Sequence, residues 1–271
     1  FDKLHPVVGE RGKVPVVADL MVSRWAYEAM AVHQFRENAF ESPYFEYDRR
    51  KAESGYVSGW LTDALRTKQE RALNAIAAGT DSSRAVAGQS LAAIRTALSR
   101  DAVGSGSVQR FPAEKLTVER LDTTAAEAFT EYLTQLERYH EDEYNAADRL
   151  IERKRIFLEK EYGINPVLQK NLHFNESLAD LVRNRSTDDP VFDSGNKLVR
   201  QIDPVFGKAA PSGPLDYRTA FFVPEKQFMG ITFLTPWFDV LAIWIITILL
   251  YFTLYFRLLP GLVKMVERLR H

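Results

Sequence analysis

Seventeen consecutive residues, Val240 to Phe256, carry no charge, and this run constrains the fold more than any other feature of the chain. Taken from Pro236 through Leu259 it predicts a helix of about 24 residues. At roughly 1.5 Å per residue that is about 36 Å, enough to cross a bilayer core of about 30 Å. Thr235 suits the N-cap, Pro236 the first helical position, and Asp239 in the first turn complements the helix dipole, which would put Asp239 near the interface. Arg257 closes the run and Pro260-Gly261 breaks the helix. Lys264, Arg268 and Arg270 follow with only Glu267 against them, so the positive-inside rule sends the C-terminus to the cytoplasm and the rest of the chain outside. Trp237 and Tyr255 fall where interfacial belt residues would stand. A buried soluble helix is the alternative, but a run apolar on all sides with a basic flank exceeds the usual core helix.

The remainder reads as a water-soluble sequence. With 35 basic and 36 acidic residues the chain offers no electrostatic reason to bind nucleic acid, and with no cysteine it has neither disulfides nor thiolate-held metal. Phe1 is followed by no basic n-region or apolar signal segment, which suggests a fragment of a longer protein.

Helical spacing dominates. Val17, Met21, Trp25, Ala29 and Val32 predict an amphipathic helix within Val16 to Phe40, lying at a membrane interface or packed on a soluble core. Two alanine-rich helices follow, from about Ser58 to Ala78 and from about Ser83 to Ser99, parted by Gly79-Thr80-Asp81-Ser82. Beyond Gly104-Ser105-Gly106-Ser107, Thr124 to Glu127 has capping-box spacing and opens a long helix to about Tyr162, where Gly163 and Pro166 stop it. From Pro166 to Gly230 frequent prolines predict turns, with helical candidates at Asn175 to Arg183 and Asn196 to Ile202 and an extended piece at Ala220 to Val223. The expected fold is all-α: an interfacial or re-entrant segment over 1–45, a soluble helical domain over 46–230, and a transmembrane helix with a basic tail over 231–271.

Motifs for chemistry are scarce. The chain contains no G-x-x-x-x-G-K-[ST] phosphate loop, no G-x-G-x-x-G dinucleotide loop and no H-E-x-x-H pattern, so no nucleotide, catalytic, cofactor or metal site is expected within it. His140 and Glu143 share a helical face, but two ligands make no metal site, and an acidic solvated face with His140 at its edge is the plainer reading. His33 and His173 lack a nucleophile and acid in motif spacing and read as packing or surface residues. Glu41, Glu46, Glu141 and Glu143 are carboxylates available for acid–base work, in a chain where carboxylates are common. Asn175-Glu176-Ser177 and Asn184-Arg185-Ser186 match a glycosylation pattern that arises readily by chance.

The stretch Ser23-Arg24-Trp25-Ala26-Tyr27-Glu28-Ala29-Met30-Ala31-Val32-His33-Gln34-Phe35 resembles the outward-facing re-entrant helix that ABCG-type ABC half-transporters carry after their fifth membrane helix. Segments at Asn175 to Val182, Gln201 to Phe206, and Asp216-Tyr217-Arg218-Thr219 through Pro224-Glu225-Lys226 are similar to those preceding the last span of Bacteroidetes ATP-binding/permease proteins. The resemblance implies that Arg24, Trp25, Tyr27, Glu28 and Phe35 belong to an outer gate or interfacial helix. It also implies that a last span, with Trp237, Asp239, Ala242, Thr247 and Thr253 at its contacts, returns the chain to the cytoplasm. It further implies an upstream ATP-binding cassette and five earlier membrane helices, ATP and magnesium in that parent only, a dimer, a lipid environment, and an inner-membrane location with most of this chain periplasmic or extracellular. An outer insert of about 190 residues without cysteine departs from ordinary members and leaves the substrate open. The competing expectation is a membrane-tethered helical interaction or sensor module with no transport role.

Overall fold

In the computed structural model the described residues are 14–99, 108–209, 211 and 213–256. The protein is mostly α, 66% helical with two small antiparallel strand pairs. The helices are α1 (Val22–Arg36), α2 (Phe45–Tyr56), α3 (Thr62–Ala78), α4 (Asp81–Leu98), α5 (Thr123–Tyr162), α6 (Pro166–His173), α7 (Glu176–Arg183) and α8 (Thr235–Tyr255). The strands are β1 (Val191–Asp193), β2 (Leu198–Arg200), β3 (Glu225–Phe228) and β4 (Ile231–Leu234). Two compact units result, one formed by Phe35–Gly207 and the other by the segments flanking it. Their boundaries lie away from residues 45 and 230, because the chain after Gly207 packs with α1 instead of continuing the helical bundle.

The central unit is built on an antiparallel arrangement of long helices. Five π-helical residues, Val57–Leu61, join α2 to α3, so the chain stays helical from Phe45 to Ala78, farther toward the N-terminus than the expected start near Ser58. Gly79 then ends α3 in the left-handed conformation (φ 69°), which glycine adopts without a Cβ clash, and a Thr80–Ser83 capping box opens α4. Leu65 and Ala72 of α3, Leu91, Ile94 and Leu98 of α4, and Phe129, Leu133 and Leu136 of α5 form one core. Polar contacts fix the register: Gln69 Nε2 donates to the Ala126 carbonyl (2.8 Å), Arg66 pairs with Glu137 (2.5 Å) and Lys51 with Asp148 (2.6 Å), so rising numbers on α2–α3 meet falling ones on α5.

Several local expectations are corrected. The cap of α5 is Asp122, whose carboxylate accepts from the Ala125 N–H at 2.7 Å, because a charged acceptor two residues earlier displaces Thr124. Residues within Asn196 to Ile202 form strand β2, since Val191↔Arg200 and Asp193↔Leu198 pairing satisfies their backbone. Ala220 to Val223 is turn and coil rather than extended, and the strand begins at Glu225. The helix at Asn175 to Arg183 forms as α7, with Asn175 as its cap.

His140 is not at a solvated edge. It is 4% exposed, in the buried stripe of α5 with Leu136 and Ala147, and neither ring nitrogen has a hydrogen-bond partner. Burial lowers its pKa, against the weaker opposing pull of Glu53 and Glu143. A base depressed in the folded state takes up its proton first in the unfolded chain, so stability falls as pH drops below the ordinary histidine value of about 6.5. Replacing His140 with Phe should therefore narrow the drop in thermal midpoint between about pH 7.5 and 5.5 relative to the unmodified protein. An unchanged drop would contradict the buried neutral imidazole.

Candidate functional site at the base of the apolar helix

Helix α8 is 21 residues long with mean hydropathy 2.0, long and apolar enough to cross a membrane. Its central faces are open: Trp244, Leu249, Leu250, Tyr251 and Leu254 are each at least half exposed, as are Trp237 and Tyr255 at its ends. Its first turn is the opposite. Thr235 and Asp239 are fully buried, and Asp239 is therefore withdrawn from solvent. Thr235 does not cap the helix; it is the first helical residue, and its hydroxyl donates to the Val223 carbonyl (2.5 Å) while its N–H donates to that of Pro224 (2.9 Å). These two bonds tie the start of α8 to the segment entering β3.

The hairpin places a cation beneath that turn. Met229 (φ 52°) and Gly230 (φ 79°) make the tight turn between β3 and β4, both with the positive φ that matches strand twist. Lys226 of β3 is 1% exposed, with Nζ 2.9 Å from Glu28 Oε2 and 3.7 Å from Asp239 Oδ1. Glu28 is itself fully buried on α1, where it also meets Arg24 one turn earlier (3.2 Å) and accepts from the Phe222 N–H (3.2 Å). Phe222 holds φ 69°, a left-handed conformation costly for a bulky residue, and its bond to Glu28 is one of the contacts fixing it there.

The network continues to Asp19. Its carboxylate lies 3.5 Å from Arg24 and accepts from the Tyr217 hydroxyl at 2.8 Å, and its carbonyl accepts from Trp25 Nε1 at 2.8 Å. Burial and the bond to Asp19 push the Tyr217 phenol up to about 12, so it remains a donor at physiological pH. The Arg24 guanidinium stacks 3.8 Å from the Trp25 ring centroid, and Trp25, Tyr217 and Phe238 form an aromatic cover with centroids 5.7–6.1 Å apart. Three carboxyls (Asp19, Glu28, Asp239) thus face two cations (Arg24, Lys226). Asp239 is the least satisfied, because neither of its oxygens takes a hydrogen bond and, among the described residues, Lys226 is the one cation within ion-pair distance.

The expected residues therefore separate. Arg24, Trp25, Glu28 and Asp239 belong to this cluster. Tyr27 faces outward at 46% exposure and packs against Phe221 and Phe222. Phe35 lies in the central unit against Phe45 and Phe206. Trp237 is exposed, Ala242 is half-buried, and Thr247 and Thr253 donate to the Ile243 and Leu249 carbonyls of their own helix. Asp19, Tyr217 and Lys226 were not marked as site residues by sequence. The one available signal was Asp239: an acid at the edge of an apolar span calls for a cationic partner, without saying which.

Comparison with protein-family profiles, curated proteins and solved structures returns no match.

Proposed function

We propose that this chain supplies the last membrane span and an extracytoplasmic helical domain of an ABC-type exporter whose nucleotide-binding cassette lies elsewhere in the parent. The observation that supports this reading is the buried cluster itself. Arg24, Trp25 and Glu28, from the segment that resembles the re-entrant helix of ABCG-type permeases, meet Lys226 and Asp239 at the base of the apolar helix. Arg24 and Glu28 are thereby fastened to the start of α8, so a displacement of either helix is transmitted to the other through buried ion pairs instead of flexible chain.

On this reading ATP and magnesium act in the cassette, and no step of hydrolysis falls to residues of this chain. The chain's own work is mechanical: α8 packs among neighbouring spans of a dimer, and α1 moves with it at the outer face. The C-terminus lies in the cytoplasm and the bulk of the chain outside the inner membrane.

The coding sequence upstream of Phe1 tests this directly. A phosphate loop of G-x-x-x-x-G-K-[ST] type followed by hydrophobic spans is expected; an initiator methionine or signal peptide immediately upstream would leave the tethered interaction module in its place. In the assembled parent, Lys226→Met combined with Glu28→Gln and Asp239→Asn, which leaves no uncompensated charge at the base of α8, should lower stimulated ATP hydrolysis at least severalfold while the protein stays folded. Unchanged hydrolysis and export in that variant would remove the proposed coupling.

A further inference from the structure

The central unit contains a cleft of about 340 Å³ that the transport reading does not use. Phe40, Tyr44 and Phe206 give it aromatic walls, and Glu41 and Asp48 bring carboxyls to it. Glu41 is 9% exposed, and no hydrogen bond or ion pair reaches its carboxyl among the described residues. Asp48, on α2, is half-buried, and its carboxyl likewise takes no hydrogen bond or ion pair among the described residues. Both carboxyls are raised, Glu41 to about 7 and Asp48 to about 6, burial being the largest cause for each.

Cations stand around the cleft but are engaged elsewhere. Arg183 bonds Asp203 (2.6 Å) and lies over the Phe206 ring, Arg155 pairs with Glu152, Lys170 sits 5.4 Å from the Phe174 ring, and Lys51 pairs with Asp148. Arg183, Arg185 and Lys170 act on Glu41, and Arg183 and Lys51 on Asp48, as nearby charges that donate no hydrogen bond to either carboxyl. Two carboxyls thus face the cleft with no donor from the described residues, so water or a ligand must supply one. The missing component is a compact cation with donors, small enough for the cleft and apolar enough for its walls. Aromatic faces favour such a cation in the same place.

We propose that this cleft binds an organic ammonium ion with an apolar body, its N–H groups donating to Glu41 and Asp48 and its body lying against Phe40, Tyr44 and Phe206. The site stands whether or not the parent is an exporter. Benzylammonium is a suitable probe, with benzyl alcohol as its neutral counterpart, titrated calorimetrically into the full chain in lipid nanodiscs against empty nanodiscs. The ammonium should bind, the alcohol should bind at least about tenfold more weakly, and Glu41→Gln should weaken the ammonium by about tenfold or more. Asp48→Asn should weaken it as well, and serves as the comparison if Glu41→Gln shifts the thermal midpoint. Absence of ammonium binding, equal binding of the alcohol, or an affinity unmoved by the carboxyl-to-amide changes would overturn the proposal.

Discussion

Replacing Lys226 with Met should destabilise the unit that carries α8 by about 3–5 kcal/mol, the range for removing one member of a buried ion pair and leaving its partners unmatched. Among the described residues Lys226 is the sole cation within ion-pair distance of Asp239 and one of two at Glu28, and the Lys226, Glu28 and Asp239 side chains are at most 1% exposed. Methionine fills much of the same volume, so the loss reports charge and not a cavity. The control is the variant that also carries Glu28→Gln and Asp239→Asn. With the uncompensated charges gone, it should regain most of the stability, since a buried ionic cluster is often replaceable as a whole but not in part. Thermal or denaturant unfolding of the purified protein in detergent measures both. A loss under about 1 kcal/mol for Lys226→Met would mean that water reaches the cluster.

Arginine at Ile245, midway along α8, should be the most damaging single change to membrane insertion. Translocon-based scales put a central arginine at about 2.5–3.5 kcal/mol, where isoleucine is favourable by a few tenths. Ile245 is half exposed and no described acid stands near it, so the guanidinium would face lipid with no partner. The membrane-inserted fraction, read by alkaline extraction of membranes, should fall severalfold. Arginine at Trp237, at the helix edge, should be tolerated because it can reach the interface. Equal insertion of both variants would count against a span centred on Ile245.

The long periodic elements were legible in the sequence because their signals are local. The apolar run, the left-handed Gly79 and Gly163 stops and the helical stripe of α5 each sit within a few residues of what they specify. Ends set by competition were not. Asp122 outcompetes Thr124 as a cap, and Thr235 spends its hydroxyl on the Val223 carbonyl, a partner 12 residues away that no capping pattern reveals. Short apolar segments were ambiguous for a different reason: Leu198 to Arg200 becomes a strand only because Val191 to Asp193 lies opposite it. Half of the charge cluster was visible, in Arg24, Glu28 and Asp239. The other half depends on long-range placement, with Lys226 meeting Glu28 across 198 positions and Tyr217 meeting Asp19 across the same separation. Nothing in the local pattern around Lys226 marks it as buried. Glu41 is a similar case, since its burial follows from the packing of several separate helices around one cleft.

The central claim is that α8 crosses the membrane, with the charge cluster at its outer end and the chain's C-terminus in the cytoplasm. Single cysteines at Ser105 and at Leu269, both outside the described residues, test it in a chain that has no cysteine of its own. In sealed inner-membrane preparations of known orientation, an impermeant maleimide should label Ser105→Cys only from the periplasmic side and Leu269→Cys only from the cytoplasmic side. Labelling of both from the same side would contradict the span and the account built on it.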